Sequence, residues 1–272
     1  MWSLVVRAPH ILDMCIISNK HEFLFFHNPK CGGSSVRHAV ENYCDIKSIK
    51  WFKDRDVVNH KYWYHEPASC VRSHFAKWAK HDYFAFGLIR NPWDRMVSWW
   101  SFCGWDKEYL PKGVKKVDEK YEVLDLAHVD NTHLLDRPSV VKFDEFVELC
   151  HFLMVESKHK FTYNKSSVDN VYWQGEELIH EDKFWPCRLI YPSLAHNFFT
   201  DYKDNYCVKV FKLEYINDMV GYVYKRTGIK MQLGHINRSS RDANYSRYYN
   251  DKTKKMVEEI YYSDVELGQY QF

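Results

Sequence analysis

His27-Asn28-Pro29-Lys30-Cys31-Gly32-Gly33-Ser34-Ser35 follows a short apolar run, Glu-Phe-Leu-Phe-Phe at 22–26, and opens into an amphipathic pattern. The run has no helical stripe and reads as a central parallel strand. Beyond the turn, Val36, Ala39, Val40 and Tyr43 recur at helical spacing and mark one buried face. A strand, a glycine turn and a helix in that order aim several backbone N–H groups and a helix dipole at one point, which suits a phosphate-type anion. Gly32 and Gly33 admit a close backbone approach, Ser34 and Ser35 add hydroxyl donors, and Lys30 adds a mobile positive charge.

The pattern recurs. Residues 83–89 (Tyr-Phe-Ala-Phe-Gly-Leu-Ile) read as a second buried strand, followed by Arg90-Asn91-Pro92-Trp93-Asp94-Arg95-Met96-Val97-Ser98. Asn91 is suited to cap the next helix, and Pro92 stands at the first helical position, where a missing N–H costs nothing. This places an arginine at a strand end and a serine eight residues later on the following helix. Two such segments describe a nucleotide bearing anionic groups at two places. The first is not the Gly-x-x-x-x-Gly-Lys-[Ser/Thr] loop of nucleoside triphosphatases, because its lysine precedes its glycines.

Further along, Phe143, Phe146, Val147 and Cys150 predict a helix around Lys142–Met154. Residues 206–211 (Tyr-Cys-Val-Lys-Val-Phe) read as another strand. A helix carrying Ile216, Met219, Val220, Val223 and Tyr224 is stopped by Gly228, and a last helix from about Asp251 buries Met256, Val257, Ile260 and Tyr261. The fold class expected is α/β: one P-loop-like, three-layer domain over 1–272 with a central parallel sheet. Its site lies at the carboxyl edge of the strands. The weakly patterned stretch 104–191, after the second motif, reads as an insertion.

Composition bounds the rest. A chain of 272 residues with 27% charged and 46% hydrophobic residues is an ordinary globular protein, and a net charge of +2 argues against nucleic acid as a partner. Its eight cysteines are scattered, without CxxC spacing, which points to reduced thiols and away from zinc ribbons or a disulfide scaffold. No run approaches the ~18 apolar residues of a membrane span. The expectation is a soluble, cytoplasmic protein, or one of the Golgi lumen if an anchor is missing. Aromatic residues make up 17%, with 20 Tyr and 10 Trp, and suit sugar rings and bases as well as a core.

The first motif, from Phe25 to Ser35, resembles the 5′-phosphosulfate loop of sulfotransferases that use 3′-phosphoadenosine 5′-phosphosulfate (PAPS), in the PKTGGTS form of the carbohydrate-type members. Phe86 to Ser98 is similar to their 3′-phosphate motif, RNPxDRxVS. His65-Glu66-Pro67-Ala68 with Arg72 resembles an HxxAxxxR stretch that precedes it. His235-Ile236-Asn237-Arg238-Ser239, Tyr248-Tyr249 and Asp264-Val265-Glu266-Leu267-Gly268-Gln269-Tyr270 are similar to the family's HxN…YY…DxEL ending. The sequence departs from the pattern at Cys31, where threonine is usual, and at Gln269, where phenylalanine is common and a packing role is expected.

The resemblance implies that Lys30, Cys31, Gly32, Gly33, Ser34 and Ser35 hold the 5′-phosphosulfate of PAPS. Arg90 and Ser98 then grip the 3′-phosphate, and His235, Asn237 and Arg238 close over the donor. The acceptor is a carbohydrate hydroxyl, no metal is needed, and 104–191 selects the acceptor. His65 is the candidate general base, with His74 and Glu66 as alternatives. Two other readings stand beside this one: a P-loop kinase, and a nucleotide- or glycan-binding module without catalysis.

Overall fold

The computed structural model describes residues 15–44, 46–47, 68, 83–102, 114–117, 120–123, 142–156, 160–163, 171–174, 194–201, 203–234 and 241–272. The chain divides into two compact units. One comprises Met1–Arg90, Asn164–Asn170 and Ala195–Asn237; the other comprises Asn91–Tyr163, Val171–Leu194 and Arg238–Phe272.

The first unit is built on a sheet with strands β1 (Cys15–Ser18), β2 (Phe23–Phe26), β3 (Ile46–Lys47), β4 (Phe84–Ile89) and β9 (Lys209–Lys212), in the order β3-β1-β2-β4-β9. Strand β2 runs parallel to β4, with Phe23 opposite Phe84, and β4 runs parallel to β9, with Phe86 opposite Lys209. The parallel centre matches the sequence reading. The other edge corrects it, because β1 is antiparallel to both β2 and β3. A tight turn over 19–22 makes that reversal possible, with Glu22 at φ 52°.

Helices cover the sheet on both faces. Phe23, Phe25, Phe86 and Leu88 share a core with Val36 and Val40 of α1 (Gly33–Val40). Later in the chain, α5 (Ile216–Thr227) adds Met219 and Val223 to it. Each such side chain contributes about 1.5–3 kcal/mol by leaving water. On the opposite face the ring of Phe199, from α4 (Ala195–Phe199), lies where a Cβ at position 87 would be.

Helix α5 ends as expected at Gly228, whose N–H donates to the Tyr224 carbonyl at 2.9 Å. Tyr224 itself is 47% exposed and does not belong to the buried stripe. Strand β9 begins three residues later than the sequence suggests. Tyr206 instead bridges Thr200, and the Cys207 N–H donates to the Phe199 carbonyl at 3.0 Å, so this backbone is already used.

The second unit contains α2 (Pro92–Phe102), α3 (Phe143–His151), α6 (Asp251–Ile260) and α7 (Tyr262–Gly268). It also holds two antiparallel hairpins, β5 (Val114–Val117) with β6 (Lys120–Val123) and β7 (Lys160–Tyr163) with β8 (Val171–Gln174). Its core joins Met96, Val97 and Trp100 of α2 to the stripe of α3 and to Val257 and Ile260 of α6. Phe143, Phe146, Val147 and Cys150 are all buried, as their spacing predicts. Helix α3 passes at Phe152 into a π-helical turn ending at Glu156, beyond the boundary expected at Met154.

Asn250 caps α6 through a reciprocal pair with Thr253, its side chain accepting from the Thr253 N–H at 2.9 Å. The last helix is not continuous. It breaks at Tyr261, and α7 follows at once.

Candidate functional site

The loop after β2 is shaped by its own backbone and by the neighbouring strand. The Asn28 side chain is buried and donates through Nδ2 to the Leu88 carbonyl of β4 at 3.3 Å. The Asn28 backbone carbonyl accepts the Cys31 N–H at 3.4 Å, and the Gly32 carbonyl accepts the Ser35 N–H at 3.1 Å. Two residues take the left-handed conformation, Lys30 at φ 60° and Gly32 at φ 75°. Only the second is a glycine, which takes that conformation freely because it has no Cβ. A Cβ at Gly32 would lie 2.5 Å from Leu213 Cδ1, and one at Gly33 would lie 1.9 Å from the His27 ring. Gly32 is therefore required by its backbone conformation, and Gly33 by the close approach of the His27 ring.

Ser34 and Ser35 are half-buried in the first turn of α1. Cys31 turns its thiol fully into the core with Phe25 and Val36, which leaves its backbone as its contribution to the loop. Arg90, directly after β4, donates from Nη1 to the Lys30 carbonyl at 3.1 Å. The arginine of the second motif and the lysine of the first therefore meet at the carboxyl ends of two adjacent parallel strands. A cradle of close glycines, a helix start and a guanidinium beside the Lys30 backbone has the donor types an anion site uses.

In the second unit, the Asn91 side-chain oxygen accepts from the N–H groups of Trp93 and Asp94 at 3.1 Å each, the N-cap expected. Ser98 lies two turns further along α2 and is 7% exposed.

The first turn of α2 is gripped by the C-terminal segment at several points. Arg95 and Asp264, both fully buried, pair at 3.0 Å, and the Arg95 guanidinium lies 5.4 Å from the Tyr261 ring centroid. Asp94 pairs with Arg241. The Trp93 indole N–H donates to the Lys254 carbonyl at 2.9 Å, and the Tyr249 hydroxyl donates to the Trp93 carbonyl at 2.8 Å. Burial pushes the Tyr249 phenol well above its ordinary range, so it stays a donor.

Sequence reasoning missed these partners. Asp94, Arg95 and Asp264 stood inside quoted motifs, yet opposite charges far apart along a chain do not announce which of them pair. The Tyr248-Tyr249 motif packs as well as hydrogen-bonds: both rings meet Phe143 edge-on, at 5.7 and 4.8 Å, and the Tyr248 hydroxyl accepts the Asp242 N–H at 3.0 Å. Gln269, expected to pack, is exposed instead and ends α7 at φ 47°.

His65, Glu66, Arg72, His74, His235, Asn237 and Arg238 lie outside the described residues. Among the described residues, no group of three or more His, Cys, Asp or Glu side chains could hold a metal ion. None of their helices is long and apolar enough to cross a membrane.

The sulfotransferase family model matches residues 13–271, and the chain belongs to that family. No curated protein and no solved structure gives a significant match.

Asp264→Asn leaves the buried Arg95 charge without its counter-ion, and loss of one partner of a buried pair is costly. The expected loss of stability is on the order of 3 kcal/mol, read from the midpoint of urea unfolding at constant slope.

Proposed function

We propose that this protein transfers the sulfuryl group of PAPS to a carbohydrate hydroxyl, as a single domain over 1–272 in which 104–191 binds the acceptor. The observation that carries the reading is the hydrogen bond from the Arg90 guanidinium to the Lys30 backbone carbonyl, which joins the two motifs at adjacent strand ends. In this reading Lys30, Ser34, Ser35 and the loop N–H groups from Cys31 to Gly33 hold the 5′-phosphosulfate. Arg90 and Ser98 hold the 3′-phosphate, and His235, Asn237 and Arg238 close over the donor. The form of the loop, nearest to that of carbohydrate-type enzymes, supports the acceptor class.

The chemistry is an in-line displacement at sulfur. The acceptor oxygen forms the new S–O bond while the bond from sulfur to the bridging phosphate oxygen breaks. The bond's electron pair leaves with adenosine 3′,5′-bisphosphate, and the acceptor proton passes to His65. Negative charge grows on the bridging oxygen, so Lys30 and the loop N–H groups stabilise the transition state more than the ground state. A guanidinium suits the 3′-phosphate because its fork matches the oxygens, and this contact discriminates against ATP. The reading calls for no metal.

Adenosine 3′,5′-bisphosphate is expected to raise the melting temperature with EDTA present. At a concentration about 100 times its Kd, linkage supplies ~2.7 kcal/mol. Equal stabilisation by ATP–Mg²⁺ in a parallel thermal-shift series would favour the kinase reading over this one.

A further inference from the structure

We infer that Arg90 is also a positioning residue for Lys30, so that the 3′ and 5′ ends of donor recognition share one side chain. The inference rests on the donor reading above and adds a role that the 3′-phosphate motif does not assign.

Lys30 holds φ 60°, a conformation that costs a residue with a Cβ about 1–2 kcal/mol and persists only where the surroundings impose it. Two hydrogen bonds from neighbouring residues impose it here. Upstream, Asn28 Nδ2 anchors the loop to the Leu88 carbonyl. At the strained residue itself, Arg90 Nη1 holds the Lys30 carbonyl at 3.1 Å. Both bonds tie the loop to β4, whose residues 85–89 are buried.

The Lys30 carbonyl belongs to the peptide that also carries the Cys31 N–H. Its orientation therefore sets where that N–H and the following loop groups point. A guanidinium carries five N–H donors in a rigid fork, so one can hold this carbonyl while others face a phosphate; an ammonium cannot cover both places with fixed geometry. A nucleotide lacking the 3′-phosphate should thus still depend on Arg90, through the shape of the 5′ loop.

The test compares wild type, Arg90→Ala and Ser98→Ala by calorimetry with adenosine 3′,5′-bisphosphate and with AMP, which lacks the 3′-phosphate. Amide hydrogen exchange of the nucleotide-free proteins is measured in parallel. Arg90→Ala should weaken both ligands, AMP by about tenfold, the scale of one hydrogen bond from a charged group. Ser98→Ala should weaken the bisphosphate alone. Without nucleotide, exchange in a peptide spanning 28–34 should quicken in Arg90→Ala while β2 and α5 keep their protection.

If the alanine variant does not fold, Arg90→Lys, which keeps the charge and gives up the fork, should lose affinity for both ligands. Unchanged AMP affinity together with unchanged exchange at 28–34 overturns the positioning role and leaves Arg90 a 3′-phosphate ligand. Should wild type bind the bisphosphate no better than AMP, the donor reading fails, and the exchange result still decides the brace.

Discussion

Lys30→Ala is expected to lower kcat about 10²–10³-fold, the range for removing one preorganised group that meets charge developing in a transition state. The donor should still bind, because the loop N–H groups and Arg90 remain. The effect therefore falls on kcat and kcat/KM together, with KM little changed.

The backbone offers a control. Alanine keeps a Cβ and so keeps the cost of the left-handed conformation at φ 60°. Lys30→Gly removes the same charge and releases that cost, about 1–2 kcal/mol. The glycine variant should be as slow as the alanine variant yet more stable to urea. If instead Lys30→Ala raises KM with kcat intact, lysine contributes uniform binding and the transition-state role is wrong.

His65→Ala is expected to lower kcat by about 10²–10⁴-fold, the usual contribution of a general base. Adenosine 3′,5′-bisphosphate should bind it as it binds wild type, since an imidazole that takes the acceptor proton faces the acceptor and not the donor. Turnover of the wild type should fall as the pH is lowered, because a protonated imidazole accepts nothing. His74→Ala serves as the parallel substitution and should keep near-normal turnover. The reverse outcome, an inactive His74→Ala beside an active His65→Ala, moves the base to His74. Loss in neither makes Glu66 the next residue to replace.

Short-range periodicity was readable from residue order, and long-range pairing was not. The stripes Val36/Val40, Met219/Val223 and Phe143/Phe146/Val147/Cys150 are buried because helical spacing alone assigns them to a face. The cap at Asn91 and the stop at Gly228 are equally local. The antiparallel edge was hidden because its turn over 19–22 contains no glycine or proline, and the positive φ falls on Glu22. The break between α6 and α7 was hidden for the same reason.

At the candidate site, glycine spacing predicted the loop and the close backbone approach at Gly32 and Gly33, but nothing in residue order marks Lys30 as a left-handed position. The contacts that brace the motifs join residues 60 positions apart for Arg90 and Lys30, 147 for Arg241 and Asp94, and 169 for Arg95 and Asp264. Nothing local in the sequence selects those partners. The Asp264 motif was therefore recognisable as a pattern before its physical job, neutralising a buried arginine, could be seen.

The most direct measurement of the central claim is transfer of radiolabelled sulfate from PAPS to a panel of glycans, lipids and small alcohols, with EDTA present. The account predicts label in at least one carbohydrate acceptor, stoichiometric release of adenosine 3′,5′-bisphosphate, and loss of both in Lys30→Ala. Bisphosphate binding without transfer to any acceptor, or phosphate transfer from ATP–Mg²⁺ in its place, would contradict it.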